Sequence, residues 1–444
     1  MKILFLTDNF PPERNAPASR THEHAIRWVR AGHEVTVITT APNFPEGELL
    51  NGYRNRWYSS EQLDGIRVIR VKSYMTANDG FLKRTLDYMS FMVTGAVAAL
   101  FQSRPDVLVS TSPQFFCAVA GWFVSRVRRL PWVFELRDLW PSAIVAVGAM
   151  RKGWSIRMLE RLELAMYRAA DLIVAVTQGL KDDLVGRHID AGKIVLVRNG
   201  VDQTLYSPRP KDESLLAQFN LQGKFVVGFL GTMGMAAGLE KVLVAASSLK
   251  DRSDIVLLFA GPGSQRKVLE QMIRSQGLSN VRLIAAQSKE MMPRIWSVLD
   301  VSLSVTRDDP LFLYTVSSKN YEAMAMGLPI LMSMPDGECA EIVRSAGAGV
   351  LVPAEDPVAL ASAIRRLADS PQDCAMMGKA ALAAAPRYTR EKSADHMVDA
   401  LGRLVSGLPA RIEPEASAER DVASSRMSSR GTYDPRAPAL GDRL

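Results

Sequence analysis

Residues 317–332 read SSKNYEAMAMGLPILM, and this stretch decides the fold class. Tyr321, Met324 and Ala325 recur at helical spacing on one face, while Lys319 and Glu322 stand three apart on another. Ser317 and Ser318 are placed to cap the helix start. Free N–H groups at such a start attract anions, so Ser318 and Lys319 in the first turn suit a phosphate, with Glu322 one turn along to take hydroxyls. Gly327 and Pro329 end the helix, and Ile330-Leu331-Met332 resumes as a strand. Such a module belongs to a doubly wound α/β domain, whose ligands sit at the carboxyl ends of the strands. On residue chemistry alone, a solvated surface helix fits the same letters.

Working back from this stretch, KFVVGFLGTMGMAAGLEKVL (224–243) predicts a strand over Phe225 to Leu230. After it, Gly231, Gly234 and Gly238 permit close approach of a phosphate to oriented backbone amides. The spacing is not that of a P-loop. IVLLFAGPGSQR (255–266) gives a second strand-to-helix loop around Gly261 and Gly263, and VRLIAAQSKEMMPRIWSVLDVSLSVTRDD (281–309) continues the alternation. Successive strand-end loops then converge on one side of a sheet, where they would enclose a nucleotide diphosphate with Glu322 near its ribose.

The amino-terminal half repeats the rhythm. KILFLTDNFPPERNAPASR (2–20) reads as a strand and a proline-stiffened loop, without the glycine fingerprint of a dinucleotide site. Ser19 is expected to cap the following helix, which carries Arg20, His22, Glu23 and His24. This loop and helix suit either a charged substrate or a surface connection; His22 and His24, two apart, make a poor metal pair. Further strands are expected at Glu34 to Thr39, Ile66 to Val71, Asp106 to Ser112 and Trp132 to Leu136. At the end of the last lie Glu135, Arg137 and Asp138, then Trp140-Pro141. Asp138 or Glu135 there would face an acceptor hydroxyl with Arg137 fixing one carboxylate; a local ion pair is the alternative. A helix over Ile156 to Ala169 leads to the strand LIVAVTQG and to Arg198-Asn199-Gly200, an expected left-handed turn, before a proline-rich exit through Pro208 and Pro210. The break divides the chain into 1–204 and 205–385, two doubly wound domains. Beyond Pro409, residues 410–444 lack a sustained apolar face and read as a flexible tail.

A length of 444 residues suits two domains, and a hydrophobic fraction of 47% is ordinary for a globular chain. The net charge of +7 fits anionic partners without naming one. Cys117, Cys339 and Cys374 are too scattered for a disulfide framework or a zinc site, which fits a reducing cytosol. The short run Ile3 to Leu6, ending at Thr7-Asp8, is not a signal peptide. FLKRTLDYMSFMVTGAVAALFQSRP (81–105) joins Lys83 and Arg84 to an apolar helix too short to span a bilayer. It suits either a buried crossover helix or interfacial docking, with Phe81, Leu82, Phe91 and Met92 against lipid and the basic groups near an anionic surface.

The PPERNAPASR loop, RNGVD (198–202), GTMG (231–234) and SKNYEAMAMGLP (318–329) together resemble family 4 glycosyltransferases over about residues 1 to 405. LTDNFPPERNAPASRTHEH and HEVTVIT narrow the resemblance to the WbuB-type bacterial N-acetyl-L-fucosamine transferases. It implies the GT-B fold: two Rossmann-like doubly wound domains facing across a cleft, with 1–204 binding acceptor, 205–385 binding donor and 386–409 returning across the join. It further implies a retaining transfer from a UDP-sugar to a polyprenyl-diphosphate-linked saccharide in surface-polysaccharide assembly, at the inner face of the plasma membrane, with no cofactor, essential metal or nucleic acid. A nucleotide-sugar epimerase and a non-catalytic membrane-associated nucleotide-binding scaffold are the rival readings. Glu322 matches the second carboxylate of the family's E-x7-E element, assigned to ribose; Tyr314 stands where the first carboxylate belongs. The arginine and lysine often found after the first strand of the donor domain are missing from GTMGMAAG, which leaves Lys319, with Arg307 or Arg20, to supply the diphosphate charge.

Overall fold

The computed structural model describes residues 1–13, 15–43, 47–76, 81–112, 114–141 and 153–409. The expected tail, 410–444, lies outside them, as do the side chains of Phe81 and Leu82. Two sheets organise the chain. The first runs in the order β3-β4-β2-β1-β5-β6-β7-β8. Its strands are β1 (Lys2–Leu6), β2 (Glu34–Thr40), β3 (Tyr58–Leu63), β4 (Ile66–Val71), β5 (Val107–Thr111), β6 (Trp132–Leu136), β7 (Leu172–Ala175) and β8 (Ile194–Leu196). The second runs β11-β10-β9-β12-β13-β14, from β9 (Phe225–Leu230), β10 (Ile255–Ala260), β11 (Val281–Ile284), β12 (Val301–Val305), β13 (Ile330–Ser333) and β14 (Gly349–Val352). Every pairing is parallel except β3 with β4. The two doubly wound sheets face each other across a cleft, and their carboxyl edges supply its loops.

The central strands are buried along their whole length because helices cover both faces, and they are mostly apolar, with Ser110, Thr111 and Glu135 the polar residues near the ends of β5 and β6. The strands expected at Ile66 to Val71, Trp132 to Leu136 and Phe225 to Leu230 form with those ends. The one expected from Asp106 is shorter, Val107–Thr111, and the helix expected from Ile156 begins at Trp154. Strand β3 was not foreseen: YSSEQL alternates half-buried and exposed positions at the sheet edge, so it lacks the apolar run of its neighbours.

Among the described residues up to Ala169, four helices pack beside the first sheet: α1 (Ala16–Arg30), α2 (Phe81–Leu100), α3 (Phe115–Arg128) and α4 (Trp154–Ala169). The helix Arg390–Val405 crosses back from the second half onto α1, where Trp28 Nε1 donates to the Ala394 carbonyl at 2.8 Å. Arg27 forks onto Asp395 at 2.5 and 2.6 Å. Gly200 lies under this crossing. Its φ is not in the left-handed region, contrary to the expected Asn-Gly turn. Glycine is required instead by proximity, since a Cβ there would stand 2.5 Å from the Thr389 carbonyl carbon.

Two further local expectations are corrected. Asn15, not Ser19, caps α1, accepting from the Ala18 N–H at 2.9 Å; the prolines place the cap four residues earlier and leave Ser19 in the first turn. Phe91 is fully buried and Met92 packs against the same core, so neither forms an outward face of α2.

Candidate active site

Lys319 and Glu322 meet at the carboxyl edge of the second sheet, on the helix Ser318–Ala325 that follows β12. Tyr321, Met324 and Ala325 anchor this helix in the core, which turns Lys319 and Glu322 toward the cleft. Ser317 stands at the cap position but its hydroxyl makes no capping bond, so the first-turn amides are not closed off by a side chain. The Lys319 ammonium lies 4.9 Å from the Phe229 ring centroid and directly over Gly231. A Cβ on Gly231 would come within 1.8 Å of Lys319 Nζ, and its φ of 154° is one that side chains resist. The glycine therefore seats the lysine.

Beside this pair opens a cavity of about 250 Å³, lined by Phe229, Thr232, Gly234, Trp296, Lys319 and Asn320 among others. A Cβ added at Gly234 would meet nothing closer than 4.0 Å, so this glycine leaves open space at the cavity wall. Gly261 and Gly263 serve a different purpose: Cβ atoms there would stand 2.0 Å from the Gly231 carbonyl oxygen and 2.2 Å from that of Met233, so both allow adjacent loops to stack. Trp296 Nε1 donates to Glu322 Oε2 at 3.3 Å.

Burial sets the protonation of the pair. It lowers the Lys319 ammonium to about 8, against the pull of Glu322. It raises the Glu322 carboxyl to about 7, with Lys319, the Trp296 bond and Lys289 opposing. An ammonium and a carboxylate held near neutrality beside a cavity are poised to respond to a charged ligand.

The structure gathers only some of the expected residues here. Arg307 donates from Nε to the Met235 carbonyl and from Nη2 to Glu240, both at 2.7 Å, and so braces the 234–238 loop. Arg20 is further removed. Its guanidinium is spent inside the first half: Nε on Glu135 at 2.9 Å, Nη2 on the Val197 carbonyl, and Nη1 on the Arg198 carbonyl and Asn199. Arg20 and Glu135 thus hold the ends of β6 and β8 together and fix the loop that follows each.

Just past the end of β6, Asp138 is open to water on one side, and the protein around it desolvates its carboxyl and raises it to about 6 against the pull of Arg137. Arg137 donates its backbone N–H to Ser112 Oγ at 2.8 Å, which fixes where the chain leaves β6. His24 is buried against Trp28, and burial with nearby Arg20 holds it well below its ordinary pKa, neutral. His22 pairs with Asp64 at 2.8 Å. Among the described residues no His, Cys, Asp and Glu group is arranged to hold a metal.

Contacts between the halves were not visible in the sequence. Glu23 of α1 joins Lys289, at 2.5 Å, and Arg390, which lies 4.0 Å from Glu322. Glu338 accepts the Gly179 N–H at 2.9 Å and pairs with Arg198 at 3.4 Å. Tyr314, at the position of the absent carboxylate, packs on Gly179 so closely that a Cβ there would meet its ring at 2.5 Å. These residues are far apart in sequence and look like ordinary surface charges; Trp296 reads only as the core position of a short helix.

Comparison with known proteins identifies the arrangement. The family described as "Glycosyl transferase 4-like domain" matches residues 15–200, and "Glycosyl transferases group 1" matches 211–384. The "Putative colanic acid biosynthesis glycosyl transferase WcaI" of Escherichia coli (strain K12) is 25% identical over 317 residues, 69% of this chain and 77% of that protein. Among solved structures, sucrose-phosphate synthase from Thermosynechococcus elongatus superposes with a TM-score of 0.75 at 18% identity, over 91% of this chain and 99% of that one. Anabaena Alr3699/HepE in complex with UDP-glucose gives 0.68 at 19% identity, over 90% and 99%. At such identities the superpositions speak for the fold. With a glycosyltransferase family matched over each half and the two sheets facing across a cleft, the chain belongs to the GT4-like glycosyltransferases, enzymes of the GT-B fold.

Proposed function

We propose that this enzyme moves a sugar from a UDP-sugar to a polyprenyl-diphosphate-linked saccharide, with retention of configuration, in bacterial surface-polysaccharide assembly. N-acetyl-L-fucosamine is the sugar favoured by the amino-terminal sequence. Residues 1–204 take the acceptor, 205–385 the donor, and 386–409 tie the two. The observation that carries this reading is Lys319 seated over Gly231 at the mouth of the 250 Å³ cavity, with Glu322 one turn along. HepE, which shares the fold, was solved with UDP-glucose, and WcaI is named for colanic acid synthesis. Lys319, the Ser318 amide and the Gly231–Gly234 loop take the diphosphate, and Glu322 takes the ribose hydroxyls. Negative charge grows on the diphosphate as the sugar leaves, and a fixed ammonium in a partly dehydrated site stabilises it. The departing phosphate oxygen can itself accept the acceptor's proton on the same face. Asp138 orients the acceptor hydroxyl, and Arg137, Ser19 and the Arg20–Glu135 pair hold the acceptor loops in place. None of the described helices is long and apolar enough to cross a membrane, which suits a peripheral enzyme working at the inner face.

Incubating a panel of UDP-sugars with extracted lipid-linked saccharides, with and without EDTA, tests the reading by mass spectrometry. A lipid product heavier by one sugar is expected. An isomerised donor without acceptor growth would favour an epimerase, and nucleotide binding with no product across the panel would favour a scaffold.

Two variants probe the halves separately. Gly231→Ala displaces Lys319, and a shift of about 1 Å in a positioned group lowers kcat/KM by up to about 100-fold; calorimetric titration with UDP should weaken in parallel. Asp138→Asn should lower transfer about tenfold or more while UDP affinity stays within about twofold, the signature of an acceptor-side group. Unchanged turnover would remove Asp138 from the site.

A further inference from the structure

The outer surface of α2, α3 and α4 joins exposed apolar side chains to a surplus of arginines. Along α2, Leu86, Met89, Val93 and Val97 lie outward at intervals of three and four, and Phe101, just past its end, is 83% exposed. The same face continues across α3 with Phe123 and Val127, and onto α4 with Met158 and with Trp154, which is 77% exposed. The helices are neighbours: Arg128 of α3 donates to the Ala99 carbonyl of α2 at 2.9 Å, and Arg126 donates to the Ala169 carbonyl of α4 at 3.2 Å. All three cover the same side of the first sheet, while α1 and the helix Arg390–Val405 cover the other.

Among the described residues of the second half, exposed apolar side chains are scattered, as at Val244, Val268 and Met376, with no comparable run along a helix. Charge on the three-helix face is one-sided. Lys83, Arg84, Arg126, Arg157, Arg161 and Arg168 are exposed, whereas the acidic Asp87 and Glu160 are half-buried and Glu163 is buried. Apolar side chains interleaved with arginines match the boundary between acyl chains and anionic headgroups, and Trp and Phe at the ends of a stripe suit that depth. Helix α2 begins at the carboxyl edge of the sheet, because it follows β4, so one end of the stripe lies at the cleft.

We infer that the α2–α3–α4 face is the membrane-docking surface of this enzyme and that its partner is an anionic bilayer, on which the stripe from Leu86 to Phe101 lies flat with the cleft opening at its edge. This assignment rests on the lipid-linked acceptor proposed above for its purpose, and replaces the buried Phe91 and half-buried Met92 as lipid contacts.

The test is co-sedimentation of the full chain with vesicles of phosphatidylcholine alone and of phosphatidylcholine with phosphatidylglycerol at about 3:1. Binding to the anionic vesicles is expected to exceed binding to the neutral ones by about tenfold or more, and to weaken in 0.5 M salt. Val93→Glu with Val97→Glu, and separately Arg157→Glu with Arg161→Glu, should each lower anionic binding about tenfold; all four sites are exposed, so the fold, read by thermal melting, is preserved. Wild-type binding that is absent, or is unaffected by both pairs, would overturn the assignment. So would a concentration-dependent dimer abolished by the same substitutions, since the face would then belong to a second copy of the chain. UDP affinity, measured without vesicles, separates failure of this surface from failure of the donor reading.

Discussion

Lys319→Ala is expected to lower kcat/KM for the nucleotide sugar by about 100- to 1,000-fold, the cost of removing one preorganised charge donor from a departing group. The size of the effect follows from the setting. Lys319 is partly dehydrated over Gly231, and the Arg307 guanidinium is held by Met235 and Glu240 instead of facing the cavity. Glu322→Gln should weaken donor binding less steeply, because an amide still accepts one hydroxyl bond. The pH profile of kcat/KM supplies an independent check. As pH rises through about 7, Glu322 ionises and becomes the better hydroxyl acceptor, so the free enzyme gains donor affinity. Above about 8, Lys319 loses its proton and the diphosphate loses its partner. Wild type is therefore expected to peak between about 7 and 8. Glu322→Gln should remove the limb near 7, leaving only that of Asp138 near 6, and should move the upper limb to lower pH because the carboxylate that helps hold the Lys319 proton is gone. A flat profile in wild type between pH 6 and 9 would separate the pair from the donor.

The second large effect is on stability. Arg20→Ala leaves Glu135, almost wholly buried, without its guanidinium, and breaking such a pair costs about 3–5 kcal/mol. The carbonyls of Val197 and Arg198 lose their donor in the same step. Arg20→Lys should recover only part of this, because an ammonium cannot reproduce the planar fork. Urea unfolding at several pH values reads both the size and the sign. Burial alone would raise the Glu135 carboxyl, but Arg20 and Arg137 bring it down to about 2. Its contribution is present above the ordinary carboxylate range and is lost as pH falls toward 2. His24 adds an earlier loss: it stays neutral in the fold, so below about 6.5 the unfolded chain takes up a proton that the native state refuses. Arg20→Ala should thus be less stable at pH 7 and lose less on acidification. Equal stability of wild type and variant at pH 7 would show that the pair is not needed.

The sequence by itself determined the alternation of strands and helices, the two-sheet architecture and the short helix that carries Lys319 and Glu322. Central parallel strands bury both faces, so VLV, WVF and FVVGFL stand out as apolar runs whatever surrounds them. The Lys319–Glu322 spacing was legible because both side chains lie on one short helix whose opposite face is core. Edge strand β3 escaped because only half of its pattern is buried. Tertiary structure alone decided which charges are available. Ser19, Arg20 and Arg307 have the residue types of a binding site, but neighbours brought from elsewhere in the chain determine what each can reach. Asn15 takes the cap, Glu135 and three backbone or amide acceptors take Arg20, and Met235 and Glu240 take Arg307. The outward face of α2 was misassigned for the same reason. Helical periodicity groups the residues that share a side, but only the packing of α2 on the sheet and on α3 decides that Phe91 lies inward while Val93 and Val97 remain exposed.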